Sequence, residues 1–453
     1  MTTLRLAAVG VAAALALGAC SGGTTSAETS APSGTNGNPE PAEITLWLAG
    51  GDTPDALRDY LTTEFADQNP GSSLVIEQQD WGDLVTKLTT ALPDANNTPD
   101  VVELGNTQSP TFTNVGAFLD ITDMYEELGG DKLLQSFVDA GAVDGKNFAM
   151  PYYFGSRYMF YRTDVWAEAG VDVPTTLAEF NDAVVTIAEK NPRGIANFSG
   201  FFLGGQDWRN GISWIFANGG DLATKDGGQW VSTLSDPKSI EGLTQLQEIY
   251  VKASNAPADA KDQSPWLYVN DTDTATNDDE STTDTSLAAA TIMAPGWAHW
   301  SIGDLETVDD KPVRTWNDEK FGTFALPGVD GGAAPVFAGG SNIGISAASQ
   351  HPELAKSLMR IIFGAEYQQM LGENGLGPAN SDYTSSLGDD EFATALIASA
   401  SNSKLTPAAP GWAAVEGAGL LEEFFSKVSQ GGDIAALAKE YDDKITPLLN
   451  GVG

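Results

Sequence analysis

Cysteine and histidine are almost missing from this chain of 453 residues, which contains one cysteine and two histidines. A single thiol can form neither an internal disulfide nor a cysteine-based zinc site. Two histidines also exclude a histidine-rich metal centre, and any Ser-His-Asp triad would have to use His299 or His351. The sequence therefore predicts no metal site and no cofactor.

Basic residues are also scarce: 23 Lys and Arg face 62 Asp and Glu, which gives a formal net charge of −39. Such a charge repels phosphate backbones and anionic lipid headgroups, so it excludes nucleic-acid binding and a polybasic membrane contact. We attribute the acidity to solubility rather than to a site. The 42% of hydrophobic residues is sufficient for a large buried core.

Familiar catalytic and phosphate-binding motifs are absent as well. The sequence has no Walker-A loop, no His-Glu-x-x-His pair, no Gly-x-Ser-x-Gly elbow and no Gly-x-Gly-x-x-Gly turn. The nearest approach to the elbow, Gly339-Gly340-Ser341-Asn342-Ile343, ends in isoleucine. The nucleotide-binding and hydrolase classes that these motifs mark therefore find no support.

The amino terminus has the features of an export signal. An apolar stretch from Leu6 to Leu17 is too short to span a bilayer and is typical of a signal-peptide core. It ends in Leu17-Gly18-Ala19-Cys20, which resembles the bacterial lipobox, and the resemblance implies that the Cys20 thiol is lipidated. We expect a signal peptide at 1–19 and, because the following residues are mostly Ser, Thr, Gly and Pro, a flexible tether at 20–41.

Strand and helix patterns alternate at the start of the body. Strand patterns at 43–49, 73–77 and 99–104 are separated by a helical pattern around Leu57 to Phe65 and another at 83–92. This order predicts an α/β fold with a parallel sheet covered by helices. Ligands bind outside the carboxyl ends of the strands in such sheets, which places Asp52, Asn106 and Gln108 on the rim of a site.

The later part of the chain is predicted to be mostly helical, including a single helix over 413–429. The segment 270–284 is rich in Asp, Asn and Thr but lacks the glycine and spacing of an EF-hand. We interpret it as a solvated loop, with cation binding left open.

Five short motifs occur in an order that resembles one protein family. They are Gly50-Gly51-Asp52, Pro99-Asp100-Val101-Val102, Met150-Pro151-Tyr152-Tyr153, Met293-Ala294-Pro295-Gly296-Trp297 and Gly339-Gly340-Ser341. Together they resemble the family 1 extracellular solute-binding proteins of carbohydrate ABC importers, the maltodextrin-binding-like group, over almost the whole body. One departure is that Trp297 follows Gly296 directly, whereas the family often has a residue between them.

The resemblance implies a two-lobed α/β fold of the periplasmic-binding-protein type II class, with discontinuous lobes, hinge strands and a ligand cleft. It divides the body into an N-terminal lobe of 42–152 and 321–367 and a C-terminal lobe of 153–320 and 368–453. Hinge crossings are expected near Tyr153, Gly322 and Tyr367. Such lobes close over a ligand because the closed state binds it more tightly.

Several tryptophans lie in glycine- and proline-rich turns, where a cleft would be lined. An indole packs on the C–H face of a pyranose, and polar groups at strand ends bond its hydroxyls. The ligand-binding residues expected on these grounds are Asp52, Asn106, Gln108, Tyr153, Trp208, Gly296, Trp297, Gly340, Ser341 and Trp412. By contrast, we expect Trp81 to staple a helix and His299 to be a satisfied histidine rather than a catalyst.

These inferences favour a monomeric, lipid-anchored receptor on the outer face of the bacterial membrane. It would capture a carbohydrate, an oligosaccharide in particular, and deliver it to the permease subunits of an ABC importer without any chemistry. Two alternatives remain open. A secreted lipoprotein glycoside hydrolase could use a carboxylate pair drawn from the many acids, and the same fold could bind a peptide, a polyamine or an oxyanion instead.

Overall fold

The computed structural model describes residues 39–261, 264–276, 281–308 and 311–451. The predicted signal peptide, Cys20 and almost all of the predicted tether lie outside the described residues. Within those ranges, the protein has no helix that combines the length and the apolar character needed to span a bilayer.

The body begins with the predicted alternation of strands and helices. The elements are β1 (Glu43–Ala49), α1 (Asp55–Gln68), β2 (Ser73–Gln79), α2 (Leu84–Ala91) and β3 (Val101–Gly105). Helix α1 forms because Leu57, Leu61 and Phe65 recur at helical spacing and bury one face. Both β2 and β3 pair with β1 in parallel, which confirms the predicted sheet and brings the carboxyl ends of three strands to one edge.

A long strand follows a series of short elements. The series is α3 (Ser109–Thr113), α4 (Tyr125–Leu128), α5 (Gln135–Ala140), β4 (Ala142–Val143) and β5 (Lys146–Asn147), and the long strand is β6 (Ala149–Arg162). Almost every side chain of β6 is buried, as is typical of a central strand covered on both faces.

The segment from 163 to 324 contains helices, small hairpins and two strands of the main sheet. Its elements are α6 (Thr163–Ala169), α7 (Leu177–Lys190), α8 (Trp208–Ala217), β7 (Ala223–Asp226), β8 (Gln229–Ser232), α9 (Pro237–Lys252), β9 (Thr274–Thr276), β10 (Thr282–Asp284), β11 (Thr291–Pro295), β12 (Asp304–Val308), β13 (Lys311–Thr315) and β14 (Phe321–Phe324). The prediction of a loop over 270–284 is wrong for 274–276 and 282–284, because β9 and β10 pair there in antiparallel fashion. Their threonines are β-branched and favour strands.

The last segment contains one further central strand and most of the remaining helices. Its elements are β15 (Ala338–Ile345), α10 (Pro352–Ile362), α11 (Ala365–Glu373), β16 (Gly377–Pro378), α12 (Glu391–Ser401), α13 (Trp412–Gly417), α14 (Leu420–Ser429) and α15 (Ile434–Leu449). The single helix predicted over 413–429 is two helices, because Gly419 adopts a left-handed conformation with φ of 65°.

The main sheet has the strand order β11-β6-β15-β3-β1-β2, and β14 and β16 also pair with β6. Strand β15 is antiparallel to both of its neighbours, β6 and β3. The pairing of β15 with β6 shifts register between Ser341 and Asn342. Strands β6 and β15 therefore lie at the centre of the sheet.

The buried apolar side chains fall into separate clusters. One cluster contains Leu61 of α1 and Met150 of β6, and a larger one contains Trp214 of α8 and Phe425 of α14. Met159, near the other end of β6, belongs to the larger cluster. Strand β6 therefore connects two hydrophobic cores.

The residues that form each core can be compared with the predicted lobe boundaries. Leu326 and Val336 pack in the larger core, although 321–367 was assigned to the first lobe. Tyr367 and Ala379 are both buried in the other core, so the packing moves the last crossing beyond Tyr367. The division into lobes stays a prediction, and the packing favours crossings on β6, on β15 and after Ala379.

Candidate functional site

A cavity of about 550 Å³ lies where several strands end. Asp52 follows β1 and Trp81 follows β2, whereas Tyr153 lies on β6 and Gly340 on β15. A 3-10 helix at Gly296–Ser301, directly after β11, provides another part of the wall. The volume is within the range of roughly 300–1,000 Å³ that is typical of small-molecule sites.

Asp52 accepts two hydrogen bonds at a single carboxylate oxygen. The indole Nε1 of Trp81 donates to Asp52 Oδ2 at 3.0 Å, and the Tyr153 hydroxyl donates to the same oxygen at 2.9 Å. Burial raises the pKa of Tyr153 well above its usual value, so this hydroxyl keeps its proton. Because two donors hold Oδ2, the exposed carboxylate can present Oδ1 to a ligand hydroxyl.

Two exposed tryptophans lie on the 3-10 helix. Trp297 is 55% exposed and Trp300 is 73% exposed, and both line the cavity. Trp297 packs edge to face against Trp266, with 4.8 Å between the ring centroids. Exposed aromatic rings grouped beside a cavity are typical of a binding surface.

A buried guanidinium brings positive charge to the cavity. Arg157 on β6 lines the cavity, and its Nη1 donates to Asn210 Oδ1 at 3.2 Å. Asn210 on α8 in turn donates from Nδ2 to the Met293 carbonyl at 2.9 Å. These bonds hold the Arg157 side chain between α8 and β11, so its orientation is fixed before any ligand binds.

His299 also lines the cavity and is neutral. Its Nδ1 lies 2.7 Å from the Gly296 carbonyl oxygen, which can only accept, so Nδ1 carries the proton and Nε2 is an acceptor. Burial lowers the pKa of His299, which keeps the ring uncharged. This agrees with the expectation of a satisfied histidine.

Groups that could hold a metal do not occur among the described residues: no cluster of three His, Cys, Asp or Glu side chains lies close enough together. In the acidic segment, Asp271 pairs with Arg162 at 2.7 Å and Asp273 with Arg314 at 2.9 Å. These two carboxylates are therefore neutralised by arginines.

The sequence matches the family model described as bacterial extracellular solute-binding protein over residues 50–369, which is more than half of the chain. The chain belongs to this family. Members of the family bind solutes for ABC importers, so the protein is a binding protein rather than an enzyme.

Two kinds of relatives agree with this assignment. The solute-binding protein is 29% identical to the diacetylchitobiose-binding protein DasA of Streptomyces coelicolor, over 90% of this chain and 89% of DasA. Its fold is similar to that of the sugar-binding protein MalE from Xanthomonas citri, with a TM-score of 0.73 and 20% identity over 90% and 97% of the two chains. A cyclo/maltodextrin-binding protein in complex with maltotetraose gives a TM-score of 0.68 at 17% identity, over 90% and 97% of the chains. These structures confirm the predicted two-lobed α/β fold.

Five of the predicted ligand-binding residues line the cavity of the solute-binding protein: Asp52, Tyr153, Gly296, Trp297 and Gly340. They come from four separate segments of the chain, and the sheet brings them together. Their role in binding stays a prediction, but all five residues lie around the same cavity.

Three other predicted residues do not line the cavity. Asn106 is buried, and its Nδ2 donates to the Ala338 carbonyl at 2.7 Å. Gln108 Oε1 accepts from the Gly105 amide at 3.4 Å, and Ser341 is fully buried. The bonds of Asn106 and Gln108 stabilise strand ends, and none of the three side chains lines the cavity.

The structure places Trp208 and Trp412 in the interior of the solute-binding protein, where each is 1% exposed. Their indole nitrogens donate to Glu422 at 3.1 Å and to Glu416 at 2.9 Å. A buried indole that is already paired has no face to offer a sugar. Both tryptophans start helices, and their flanking glycine and proline belong to the helix starts rather than to cleft turns.

Trp81, Arg157 and Trp300 are among the cavity residues that were not predicted to bind ligand. Trp81 follows β2 at the edge where Asp52 follows β1, so the criterion applied to Asp52 would have found it. Trp300 follows Trp297 by three residues, and residues at this spacing lie on one side of a 3-10 helix. Arg157 gives no comparable signal, because its position depends on the pairing of β6.

Proposed function

We propose that this solute-binding protein captures a neutral oligosaccharide in the cavity beside Trp297 and delivers it to the permease of an ABC importer. The observation that carries the proposal is the exposed Trp297 ring in a cavity that also contains the Asp52–Trp81–Tyr153 hydrogen-bond cluster. An indole surface and an oriented carboxylate are complementary to the C–H face and the hydroxyl rim of a pyranose.

The relatives suggest which sugars to consider first. DasA is named for diacetylchitobiose, and another relative, 22% identical over 70% of this chain, is named for arabinooligosaccharides. Because DasA covers more of the chain at higher identity, we favour an N-acetylated disaccharide or a longer chain of such units. Neutral sugars also suit a protein whose net charge of −39 opposes the approach of anions.

The proposal includes lipid attachment at Cys20 and a monomeric body on the outer face of the membrane. Lipid attachment is supported by the lipobox-like Leu17-Gly18-Ala19-Cys20, and the position outside the cell is supported by the extracellular character of the family. Delivery to a permease rests on the family alone.

A thermal-shift screen tests sugar capture. The protein is unfolded and refolded to remove any bound ligand and then heated with diacetylchitobiose, maltotetraose or arabinooligosaccharides, and with spermidine and a tripeptide as non-sugar controls. A ligand that binds only the folded state raises the melting temperature by mass action. We expect a shift with one sugar class and recovery of that sugar uncut. A shift with a control alone, or with no sugar, would refute the proposal.

A further inference from the structure

Glu103 is a fully buried acid on β3 that does not line the cavity but is connected to it. Its Oε2 accepts from the Ala49 amide at 2.9 Å, and Ala49 is the last residue of β1. Asp52, which lines the cavity, follows three residues later. The Glu103 carboxyl therefore fixes the end of the strand from which Asp52 extends.

A second connection between Glu103 and Asp52 runs across the sheet. Ser341 of β15 pairs with Gly105 of β3 and with Tyr153 of β6. Paired residues share a face of a sheet, as do residues two apart in one strand, so Glu103, Ser341 and Tyr153 lie on the same face. The Tyr153 hydroxyl then donates to Asp52 Oδ2 at 2.9 Å. These side chains form a line from the buried acid to the cavity.

The proton of Glu103 suits the start of this line. Burial raises the pKa of Glu103 to about 8, against the opposing effects of the Ser341 hydroxyl and the Ala49 amide, so the carboxyl is mostly neutral at pH 7. Because Oε2 accepts from Ala49, the proton belongs on Oε1, a buried atom without a hydrogen-bond partner. Ser341 Oγ is also buried without a partner. A donor on Oε1 and an acceptor at Oγ would satisfy both atoms.

The other charged or titratable groups around Glu103 come from four elements of the described chain. They are Asp52 after β1, Arg58 of α1, Tyr152 and Tyr153 of β6, and Tyr367 of α11. Burial raises the pKa of all three tyrosines above the usual value, so they keep their protons at pH 9. Glu103 is therefore the group of this cluster expected to change charge between pH 7 and pH 9.

We propose that Glu103 is a positioning residue: its protonated carboxyl holds the Asp52 carboxylate in place for a ligand, and loss of the proton weakens binding. The neutral carboxyl donates to Ser341, which leaves the Ser341 hydrogen for Tyr153 and the Tyr153 hydrogen for Asp52. An ionised Glu103 would take the Ser341 hydrogen for itself and would repel the Asp52 charge. The inference rests on the proposed function, because it takes Asp52 as a group that binds the sugar.

The direction of the pH effect follows from the water that a ligand displaces. A ligand beside Asp52 reduces the screening between the two carboxylates, so it raises the pKa of Glu103 further and binds the protonated form more tightly. Affinity is therefore full below the pKa of the free protein and falls above it, by up to about tenfold per pH unit, until the pKa of the complex is reached.

Calorimetry at pH 7 and pH 9, with the sugar identified by the thermal-shift screen, compares the wild type with Glu103→Gln and the control Glu77→Gln. Glutamine can accept the Ala49 bond and donate to Ser341 but does not titrate. Glu77 is exposed on β2, bonds Trp47 and does not line the cavity. We expect affinity to fall about fivefold in the wild type and the control and less than about twofold in Glu103→Gln. Equal falls in all three proteins, or no fall in the wild type, would overturn the proposal.

A second measurement reports on Asp52 without a ligand. The Trp81 indole N–H donates to Asp52 Oδ2, so its nuclear magnetic resonance signal, assigned with Trp81→Phe, senses the carboxylate. The signal should shift between pH 7 and pH 9 in the wild type and stay in place in Glu103→Gln. A signal that moves alike in both proteins, or in neither, would also overturn the proposal. If no sugar binds while the wild-type signal alone shifts, the proposed function fails and the connection from Glu103 to Asp52 stands.

Ser341→Ala interrupts the same line and retains the Glu103 carboxyl. The substitution removes one small buried oxygen that has no partner, so the fold should tolerate it. We expect the shift of the Trp81 signal between pH 7 and pH 9 to fall to less than about half of the wild-type shift, because the hydroxyl that connects Glu103 to Tyr153 is missing. An unchanged shift would contradict the route through Ser341.

Discussion

Trp297 is the side chain on which sugar binding is expected to depend most. It is 55% exposed, so Trp297→Ala should leave the free energy of unfolding almost unchanged. Loss of a central aromatic contact typically costs about 2 kcal/mol, or roughly a 30-fold loss of affinity. Calorimetry of wild type and variant with the sugar identified by thermal shift measures this loss of affinity. Trp230→Ala, a half-buried tryptophan on β8 outside the cavity, is the control, and equal affinities for both variants would contradict the assignment.

Glu103 on β3 predicts a specific pH dependence of stability. It is fully buried, its Oε2 accepts from the Ala49 amide at 2.9 Å, and desolvation raises its pKa from 4.5 to about 8. Below pH 4.5 the carboxyl is protonated in both the folded and the unfolded state, and its contribution to stability is fully present. As the pH rises towards 8, only the unfolded chain releases the proton, so stability falls by up to roughly 1.4 kcal/mol per pH unit.

The measurement is chemical denaturation of the wild type and Glu103→Gln at pH 5 and pH 8. The glutamine can accept the same Ala49 bond but does not titrate. We expect the wild type to lose more stability than the variant between the two values, while all other acids contribute equally to both. Parallel losses would show that the Glu103 carboxyl is not protonated in the folded state at neutral pH.

At the residue scale, a position just after a strand predicted the cavity residues only in part, because Asn106 and Gln108 follow β3 and do not line the cavity. Asp52 and Trp297 follow strands whose position the pattern determines, and both reach the cavity. Trp208 and Trp412 have similar glycine-rich neighbours but start buried helices. Composition near a tryptophan cannot distinguish a cleft turn from a helix start, because that depends on what packs over the ring.

The break between α13 and α14 gives a prediction at the scale of elements. Gly417 is the last helical residue of α13, whereas Gly419 has φ of 65°, and an added Cβ at either position meets no atom within 4 Å. Gly417→Ala should therefore stabilise the protein by about 0.5–1 kcal/mol through helix propensity. Gly419→Ala should destabilise it by about 1–2 kcal/mol because of its left-handed backbone.

Denaturation of the two alanine variants side by side checks this prediction. Since neither site is crowded, sterics cannot account for opposite signs. If both substitutions stabilised the protein, α13 and α14 would form one continuous helix in solution, as the sequence pattern suggested.

Element boundaries were predictable wherever hydrophobic periodicity was strong. β1 matches its predicted range of 43–49 and α2 differs from its predicted range of 83–92 by one residue at each end, and both have regular apolar patterns. The hydrophobic pattern did not predict the helix break at Gly419, because periodicity carries no information about the backbone conformation of a glycine. It also failed at β9 and β10, which are held by pairing with each other rather than by a buried face.

At the scale of the whole molecule, the order of motifs predicted the fold, whereas packing decides where one core ends and the next begins. The resemblance assigned Leu326 to the first lobe and Ala379 to the second, but Leu326 packs in the larger core and Ala379 in the core that contains Leu61. Such long-range contacts depend on the path of β15 between the cores. The sequence pattern predicts a strand at β15 but does not predict which strands pair with it.

The last prediction is that sugar binding by the body does not depend on its attachment to the membrane. The apolar clusters of the described residues lie between Ala42 and Leu449, so a chain that begins at Pro41 should unfold and bind sugar as the full protein does. In the full protein, Cys20→Ser should release the body from the membrane fraction, since the lipid is proposed to be attached at Cys20 and the described residues contain no helix that could span a bilayer. Affinity should change less than twofold in both variants. Membrane association that persists in Cys20→Ser would contradict the anchor, whereas weaker binding by the shortened chain would show that residues 1–40 contribute to the site.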